Sequence, residues 1–189
     1  MWWVDLQLFW TYGLGRAYTT SLRHRPKIPQ GERVGMTYGE TPFRTFDAIL
    51  TMAGAKSNDT FLELGSGTGR LTLMAAKCWG LKSLGVECIT PFVERANAIV
   101  RRSAVEKCSF IQADLFDISW SEADLLYITA TTFTQSQLDR FYEKCGEIKR
   151  GAKLVSLTHS PNTKQFSLLS MDVLSFSWGP ATVFVHQKK

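Results

Sequence analysis

The sequence is poor in the residues that build metal centres and disulfide frameworks, with four Cys and three His in 189 residues. Cys78, Cys88, Cys108 and Cys145 form no C-x-x-C pair and stand at no ligand-like spacing from His24, His159 or His186. That pattern argues against zinc, against any other metal and against a disulfide framework, and leaves reduced thiols suited to a cytoplasmic setting. Long apolar runs are also missing: none reaches the ~20 residues that span a bilayer. The N-terminus has no early Lys or Arg, and Asp5 and Gln7 interrupt its apolar stretch, so neither a signal peptide nor a transmembrane helix is expected there. The net charge of +5 is spread along the chain without a dense basic tract, which speaks against a nucleic-acid arm. Repeats and low-complexity segments are absent.

What the sequence does have begins with aromatics. Trp2, Trp3, Leu6, Phe9, Trp10, Leu14 and Ala17 recur near helical spacing and predict one apolar helix face. Two uses fit such a face. It can pack on the rest of the protein, or it can lie in a membrane interface with Arg16, Arg23, Arg25, Lys27 and Arg33 near phospholipid headgroups. Residues 20–40, with Pro26, Pro29, Gly31, Gly35 and Gly39, read as an extended linker. We therefore divide the chain into residues 1–36, an aromatic helix and basic linker, and residues 37–189, one domain. From Pro42 helix and strand alternate: helices over 42–55, 69–79, 91–105 and 135–148, and strands over 60–64, 82–87, 108–112, 123–129 and 152–158. Such alternation predicts a parallel sheet covered on both faces. Residues 165–177 and 181–188 are β-rich runs joined by Trp178-Gly179-Pro180, too close for a helical crossover, and predict an antiparallel hairpin.

The most informative run is Phe61-Leu62-Glu63-Leu64-Gly65-Ser66-Gly67-Thr68-Gly69-Arg70, which reads as a buried strand, a glycine-rich turn and the start of a helix. Backbone N–H groups in such a turn can approach a ligand closely, and the helix N-terminus points at the same spot. The spacing is G-x-G-x-G, whereas a dinucleotide fingerprint is G-x-G-x-x-G. With Glu63 two residues before the first glycine, the pattern fits S-adenosylmethionine better than NAD. In an open parallel sheet the ligand sits beyond the carboxyl ends of the strands. Three acids fall there. Glu63 ends the first strand, Glu87 ends the second at a place suited to ribose hydroxyls, and Asp114 follows the third, with Leu115 or Phe116 available to pack on an adenine ring.

On these motifs residues 40–189 resemble the S-adenosylmethionine-dependent methyltransferases of class I. Within them, Thr37-Tyr38-Gly39-Glu40-Thr41-Pro42-Phe43 is similar to the Tyr-Gly-Glu-Thr loop of the Rossmann-type, non-SET lysine methyltransferases, the disruptor of telomeric silencing family. The segment Phe176-Ser177-Trp178-Gly179-Pro180-Ala181-Thr182-Val183-Phe184 is similar to that family's Ser-Trp hairpin. Short bacterial and mitochondrial relatives share the compact size and a Trp-rich N-terminal segment. The resemblance implies a Rossmann-like α/β fold: a seven-stranded sheet with five parallel strands and a C-terminal antiparallel hairpin, preceded by the aromatic helix. It implies cofactor binding by Tyr38, Glu40, Thr41, Glu63, Gly65, Ser66, Gly67, Gly69, Glu87, Asp114, Leu115 and Thr129. The lysine channel it implies is lined by Tyr38, Phe133 and Trp178, with Phe184 a weaker candidate that also fits ordinary core packing. The chain departs from the histone enzymes in having Thr131-Thr132-Phe133 where they have Asn-Asn-Phe, and the 189 residues hold neither their long helical region nor their basic segment. A nucleosomal substrate is therefore not implied.

Amine methylation suits what is absent. A lysine with a pKa near 10.4 must lose its proton before attack, which at pH 7 costs ~4.6 kcal/mol. A dry aromatic channel disfavours the ammonium and so lowers that cost without a strong side-chain base. Orientation does much of the rest. The signatures of other methyl transfers are missing: no Asn/Asp-Pro-Pro-Tyr run follows the fourth strand, and no Pro-Cys nucleophile is present. His159, at the end of the fifth strand, could serve a hydroxyl or acid substrate but suits a structural role as well. The expected function is protein lysine N-methylation. The alternatives are a small-molecule or RNA methyltransferase, or a non-catalytic cofactor-binding module that meets a membrane through its N-terminal helix.

Overall fold

The computed structural model describes residues 2–13, 16–24, 38–161 and 164–189. Strands β1 (Thr60–Leu64), β2 (Lys82–Glu87), β3 (Cys108–Gln112), β4 (Leu125–Ile128) and β5 (Lys153–Leu157) run parallel. Strands β6 (Phe166–Phe176) and β7 (Gly179–Lys188) form the antiparallel hairpin, and the sheet order is β3-β2-β1-β4-β5-β7-β6. The expected seven-stranded sheet is thus observed. β1, β2 and β3 have the boundaries expected from the sequence. β4 is shorter than the apolar run that suggested it, its pairing running from Leu125 to Ile128, opposite Leu64 of β1 and Ser156 of β5.

Alternation along the strands sorts side chains into two cores. Phe61, Tyr127, Val155 and Val185 meet helices α3 (Phe43–Met52), α4 (Arg70–Trp79) and α5 (Thr90–Arg102) on one face. Leu62, Leu64, Leu126 and Leu154 meet Phe116, Trp120 and Phe141 on the other, where α6 (Gln135–Lys144) lies. α6 starts on a capping box in which Thr134 and Gln137 satisfy each other's backbone N–H groups. It ends earlier than the expected residue 148, giving way to a 3₁₀ turn over Cys145–Glu147 that contains Gly146. The hairpin turn is Ser177-Trp178, one position earlier than the expected joint, since Phe176 already pairs with Gly179. Pro180 is tolerated in β7 because it lies beyond the last residue paired with β5, Val183.

The N-terminal segment corrects the sequence reading. It forms two helices, α1 (Trp2–Tyr12) and α2 (Arg16–His24), broken at Gly13 with φ 61°. The expected apolar face packs only in part: Trp3 and Ala17 lie against the core. Val4 and Tyr12 are buried and Leu8 packs beside them, whereas Trp2, Leu6, Phe9 and Trp10 are exposed. Helical phase explains it: positions 4, 8 and 12 form one row, and it is this row that meets the domain. Residues 20–24, expected in the linker, complete α2; the linker from 25 to 37 and Leu14 lie outside the described residues. Among the described residues no helix is long and apolar enough to cross a membrane.

Candidate active site

The loop between β1 and α4 is the floor of a cavity of about 340 Å³ at the carboxyl ends of the parallel strands. Gly67 and Gly69 have φ of 52° and 83°, a left-handed conformation that residues with a Cβ rarely adopt. At Gly69 a Cβ would also fall 2.6 Å from the Phe110 ring. The Gly65 and Ser66 N–H groups both donate to Val86 O, and Gly69 N–H donates to Ser66 O, so the turn is fixed by its own backbone.

The three strand-end acids hold this loop and its neighbours. Glu87 accepts from Gly67 N–H through Oε2 at 2.8 Å and from Ile89 N–H through Oε1 at 2.9 Å. Glu63 accepts from the Thr72 N–H and hydroxyl through Oε2, and full burial pushes its carboxyl up to about 8 despite those two bonds. Asp114 accepts from Phe116 N–H at 2.8 Å, an Asx turn, and its other oxygen stands 3.8 Å from Arg140. That half-exposed pair adds little stability. Arg140 also lies over the Phe116 ring at 4.4 Å, and Phe116 stacks on buried Trp120, whose Nε1–H donates to Leu115 O. Leu115 and Phe116 therefore form an apolar shelf beside Asp114.

The opposite wall comes from the segment 38–41 and the hairpin turn. Tyr38 lies on Phe92, its ring centroid 5.8 Å away, and its hydroxyl donates to Glu40 at 2.6 Å. Burial raises the Tyr38 phenol well above its usual range, with Glu40 adding to the effect. Glu40 N–H donates to Ser177 Oγ at 2.8 Å and Ser177 N–H donates to Glu40 O at 3.1 Å, which ties the segment to the hairpin. The contact needs Gly39: a Cβ there would sit 2.3 Å from the Trp178 ring. Thr41 shares a hydrogen bond of 2.9 Å with the buried Tyr127 hydroxyl. Arg70 meets the same segment through Thr41 O and Glu40 while its main partner is Asp5 of α1 at 2.8 Å.

The residues singled out from the sequence as binding or channel residues line this one cavity, except the weaker candidate Phe184 and Gly69, which shapes the loop beneath it. Phe184 and His159 do not line it. Phe184 lies beside His186 on the hairpin, with ring centroids 6.0 Å apart. Sequence reasoning missed Ser21, Thr68, Cys88, Phe92, Gln137 and Arg140 in the lining. Thr68, inside the glycine loop, and Cys88, adjacent to Glu87, carried a local signal; the others arrive from helices whose facing is set by tertiary packing. Burial pushes the Cys88 thiol far up, so it stays protonated.

The residues fit a nucleoside ligand with a charged tail. The buried Ser66 hydroxyl in the cavity wall has no protein partner, an unmet demand of the kind a polar ligand satisfies. Acids stand at three strand ends, and the Leu115–Phe116 shelf is flat and apolar. Among the described residues no group of three or more His, Cys, Asp and Glu is arranged to hold a metal ion.

Comparison with known proteins points the same way. A family model described as histone methylation protein DOT1 matches residues 32–175. A protein-lysine N-methyltransferase of Saccharolobus islandicus is 29% identical over 121 residues, covering 63% of this chain and 74% of that protein. A histone-lysine N-methyltransferase, H3 lysine-79 specific, of Emericella nidulans is 25% identical over 134 residues, 64% of this chain; the match spans only 27% of that longer protein. Among solved structures, an RNA methyltransferase from Salinibacter ruber in complex with S-adenosyl-L-homocysteine aligns with a TM-score of 0.61 and 24% identity, covering 77% of this chain and 90% of that one. TrmN from Thermus thermophilus aligns with a TM-score of 0.65 and 19% identity over 77% of this chain and 48% of that one. These two share the fold.

Proposed function

The chain belongs to the DOT1 histone-methylation family and is a methyltransferase, and from that premise we propose that it transfers methyl groups from S-adenosylmethionine to the lysine amine of a protein. One observation carries the reading. The strand-end acids Glu63, Glu87 and Asp114 share a single cavity with Tyr38, Tyr127, Phe133 and Trp178, aromatic residues drawn from four separate parts of the chain. In this reading Glu63 is the carboxyl that gives up its proton to meet the cofactor's ammonium, Glu87 accepts from the ribose, and Asp114 with Leu115 receives the adenine. Gly65, Ser66 and Gly67 present backbone and hydroxyl groups between them, and the Tyr38–Thr41 segment with Thr129 borders the methyl-donor end. When bound, S-adenosylmethionine supplies an electrophilic methyl on a sulfonium.

The chain's own residues do the rest. Tyr38, Phe133 and Trp178 give the amine a surface that favours its neutral form over the ammonium. Burial keeps the Tyr38 and Tyr127 phenols protonated at neutral pH, so neither is a base; they position and exclude water. The hydrogen bonds joining Glu40 to Ser177 hold the two channel walls in register, which is where orientation gains its rate.

The test is transfer of radiolabelled methyl from S-adenosylmethionine into an extract of the source cells, followed by acid hydrolysis and amino-acid analysis. A Gly67→Arg variant is the control, since its side chain would fill the cradle beside Tyr38. Methyl-lysine that disappears in the control is expected. Label in RNA or small molecules would transfer the reading to those acceptors, and no transfer despite cofactor binding would refute a catalytic role.

A further inference from the structure

The outward row of α1 is not accounted for by methyl transfer. Trp2, Leu6, Phe9 and Trp10 are 74%, 39%, 53% and 75% exposed, while Val4 and Tyr12 on the packed row are 0% and 3% exposed. At about 100° per residue the four exposed positions fall within one arc of about 100°, turned away from the domain. A soluble surface rarely gathers two Trp, a Phe and a Leu on three turns without a use for them.

Cations fringe this ridge on both sides. Arg102 donates to Gln7 and to the Thr11 hydroxyl at 2.8 Å along one flank, and Lys77 stands 5.6 Å from the Trp3 ring. On the other flank Arg70 pairs with Asp5, the only acid of α1, at 2.8 Å and so neutralises it. α2 has no acid and carries Arg23 and His24 in its last turn. Over residues 1–36 five Lys and Arg stand against two acids. With eleven residues, α1 is about 16 Å long, half the ~30 Å of a bilayer's hydrocarbon core, so it can lie on a membrane but not cross one.

We propose that this ridge docks α1 in the interfacial layer of an anionic phospholipid bilayer, with Trp2, Leu6, Phe9 and Trp10 among the upper acyl chains and Lys77 and Arg102 towards the headgroups. Charge selects this occupant over a second copy of the chain. Two ridges packed face to face would bring Lys77 and Arg102 of one copy towards the same cations of the other, and the neighbouring acids Asp5 and Glu40 are already paired with Arg70. Anionic headgroups pair with all of them. Trp suits the site because its ring is apolar while its N–H remains hydrated at the membrane interface.

The test needs neither methyl donor nor acceptor, so its outcome is independent of the proposed reaction. The full chain is floated with vesicles of phosphatidylcholine containing phosphatidylglycerol and with vesicles of phosphatidylcholine alone, and tryptophan emission is recorded. Flotation with the anionic vesicles, a blue-shifted emission and release by salt are expected. A Trp2→Ser/Trp10→Ser double variant should bind them about tenfold more weakly or worse, a loss of at least ~1.4 kcal/mol. Its thermal melt and cofactor affinity should match the parent, because both side chains point away from the domain; if that variant fails to fold, Trp10→Glu alone replaces it. Absence of flotation with anionic vesicles, or equal flotation of the folded variant, overturns the proposal. So does a lipid-free, concentration-dependent dimer that the variant abolishes, which would assign the ridge to a second copy.

Discussion

Replacing Glu63 by Gln is expected to stabilise the ligand-free protein at alkaline pH while weakening its hold on the cofactor. Glu63 is buried and its carboxyl is pushed from 4.5 up to about 8, mainly by desolvation, with Thr72 supplying two hydrogen bonds that offset part of the cost. The folded state therefore holds this proton more tightly than the unfolded chain. Below pH ~4.5 both states are protonated and Glu63 contributes no pH dependence. Between pH 4.5 and 8 the unfolded chain ionises first, so stability falls as pH rises, and above ~8 the loss is complete. A difference of 3.5 units corresponds to a ceiling of about 5 kcal/mol. Gln has no proton to lose, and its carbonyl can accept the same two bonds from Thr72. Urea unfolding of parent and Glu63→Gln at pH 5, 7 and 9 isolates the effect, because other titrating groups cancel in the difference. The stability gap should move in favour of the variant by several kcal/mol from pH 5 to pH 9, and calorimetry should show cofactor affinity reduced about tenfold or more. A gap that stays constant with pH would refute the account of Glu63 as a carboxyl kept protonated by burial.

Gly39→Ala should cost about 1–3 kcal/mol at the contact with Trp178, since its Cβ would lie 2.3 Å from the ring; kcat/KM should fall more than the melting temperature does. Gly85→Ala should destabilise the fold by a similar ~1–3 kcal/mol in urea titrations, because its Cβ would meet Phe110 at 2.5 Å and Thr72 Oγ1 at 2.8 Å. Tyr38→Phe should keep turnover within about tenfold across pH 7–9, as a phenol held protonated by burial is no base, whereas a loss of a thousandfold would make the hydroxyl catalytic. Trp120→Ala should cost about 3–5 kcal/mol by denaturant titration, through the cavity it leaves beneath Phe116 and the freed Leu115 carbonyl.

Much of this fold was legible because its signals are local. β1, β2 and β3 are short apolar runs bounded by polar or glycine-rich turns, and the Gly65–Gly69 loop carries its own geometry in three left-handed residues. Glu63, Glu87 and Asp114 could be found because a parallel sheet places the ends of β1, β2 and β3 side by side. The helical lining was not legible in the same way. Gln137, Arg140, Phe92 and Ser21 reach the cavity only through the rotation of α6, α5 and α2 about their axes, which packing decides. The N-terminal reading failed for a related reason. Composition marked Trp2, Phe9 and Trp10 as an apolar face that could pack on the domain or meet a membrane, yet the row packed most deeply is Val4, Leu8 and Tyr12.

The place of β7 in the sheet has a consequence for synthesis. It is the last strand along the chain, yet it lies between β5 and β6. As the polypeptide leaves the ribosome, β1 to β5 can pair one after another, but β6 has no neighbour until β7 follows it. During that interval β5 has a bare edge, and Leu168, Leu169, Met171 and Val173 of β6, exposed even in the finished protein, belong to a strand with no partner at all. The Trp178 wall of the cavity depends on the same hairpin. A nascent chain halted before residue 183 could therefore hold its glycine loop and its three acids in place and still have neither a closed sheet nor a complete cavity wall.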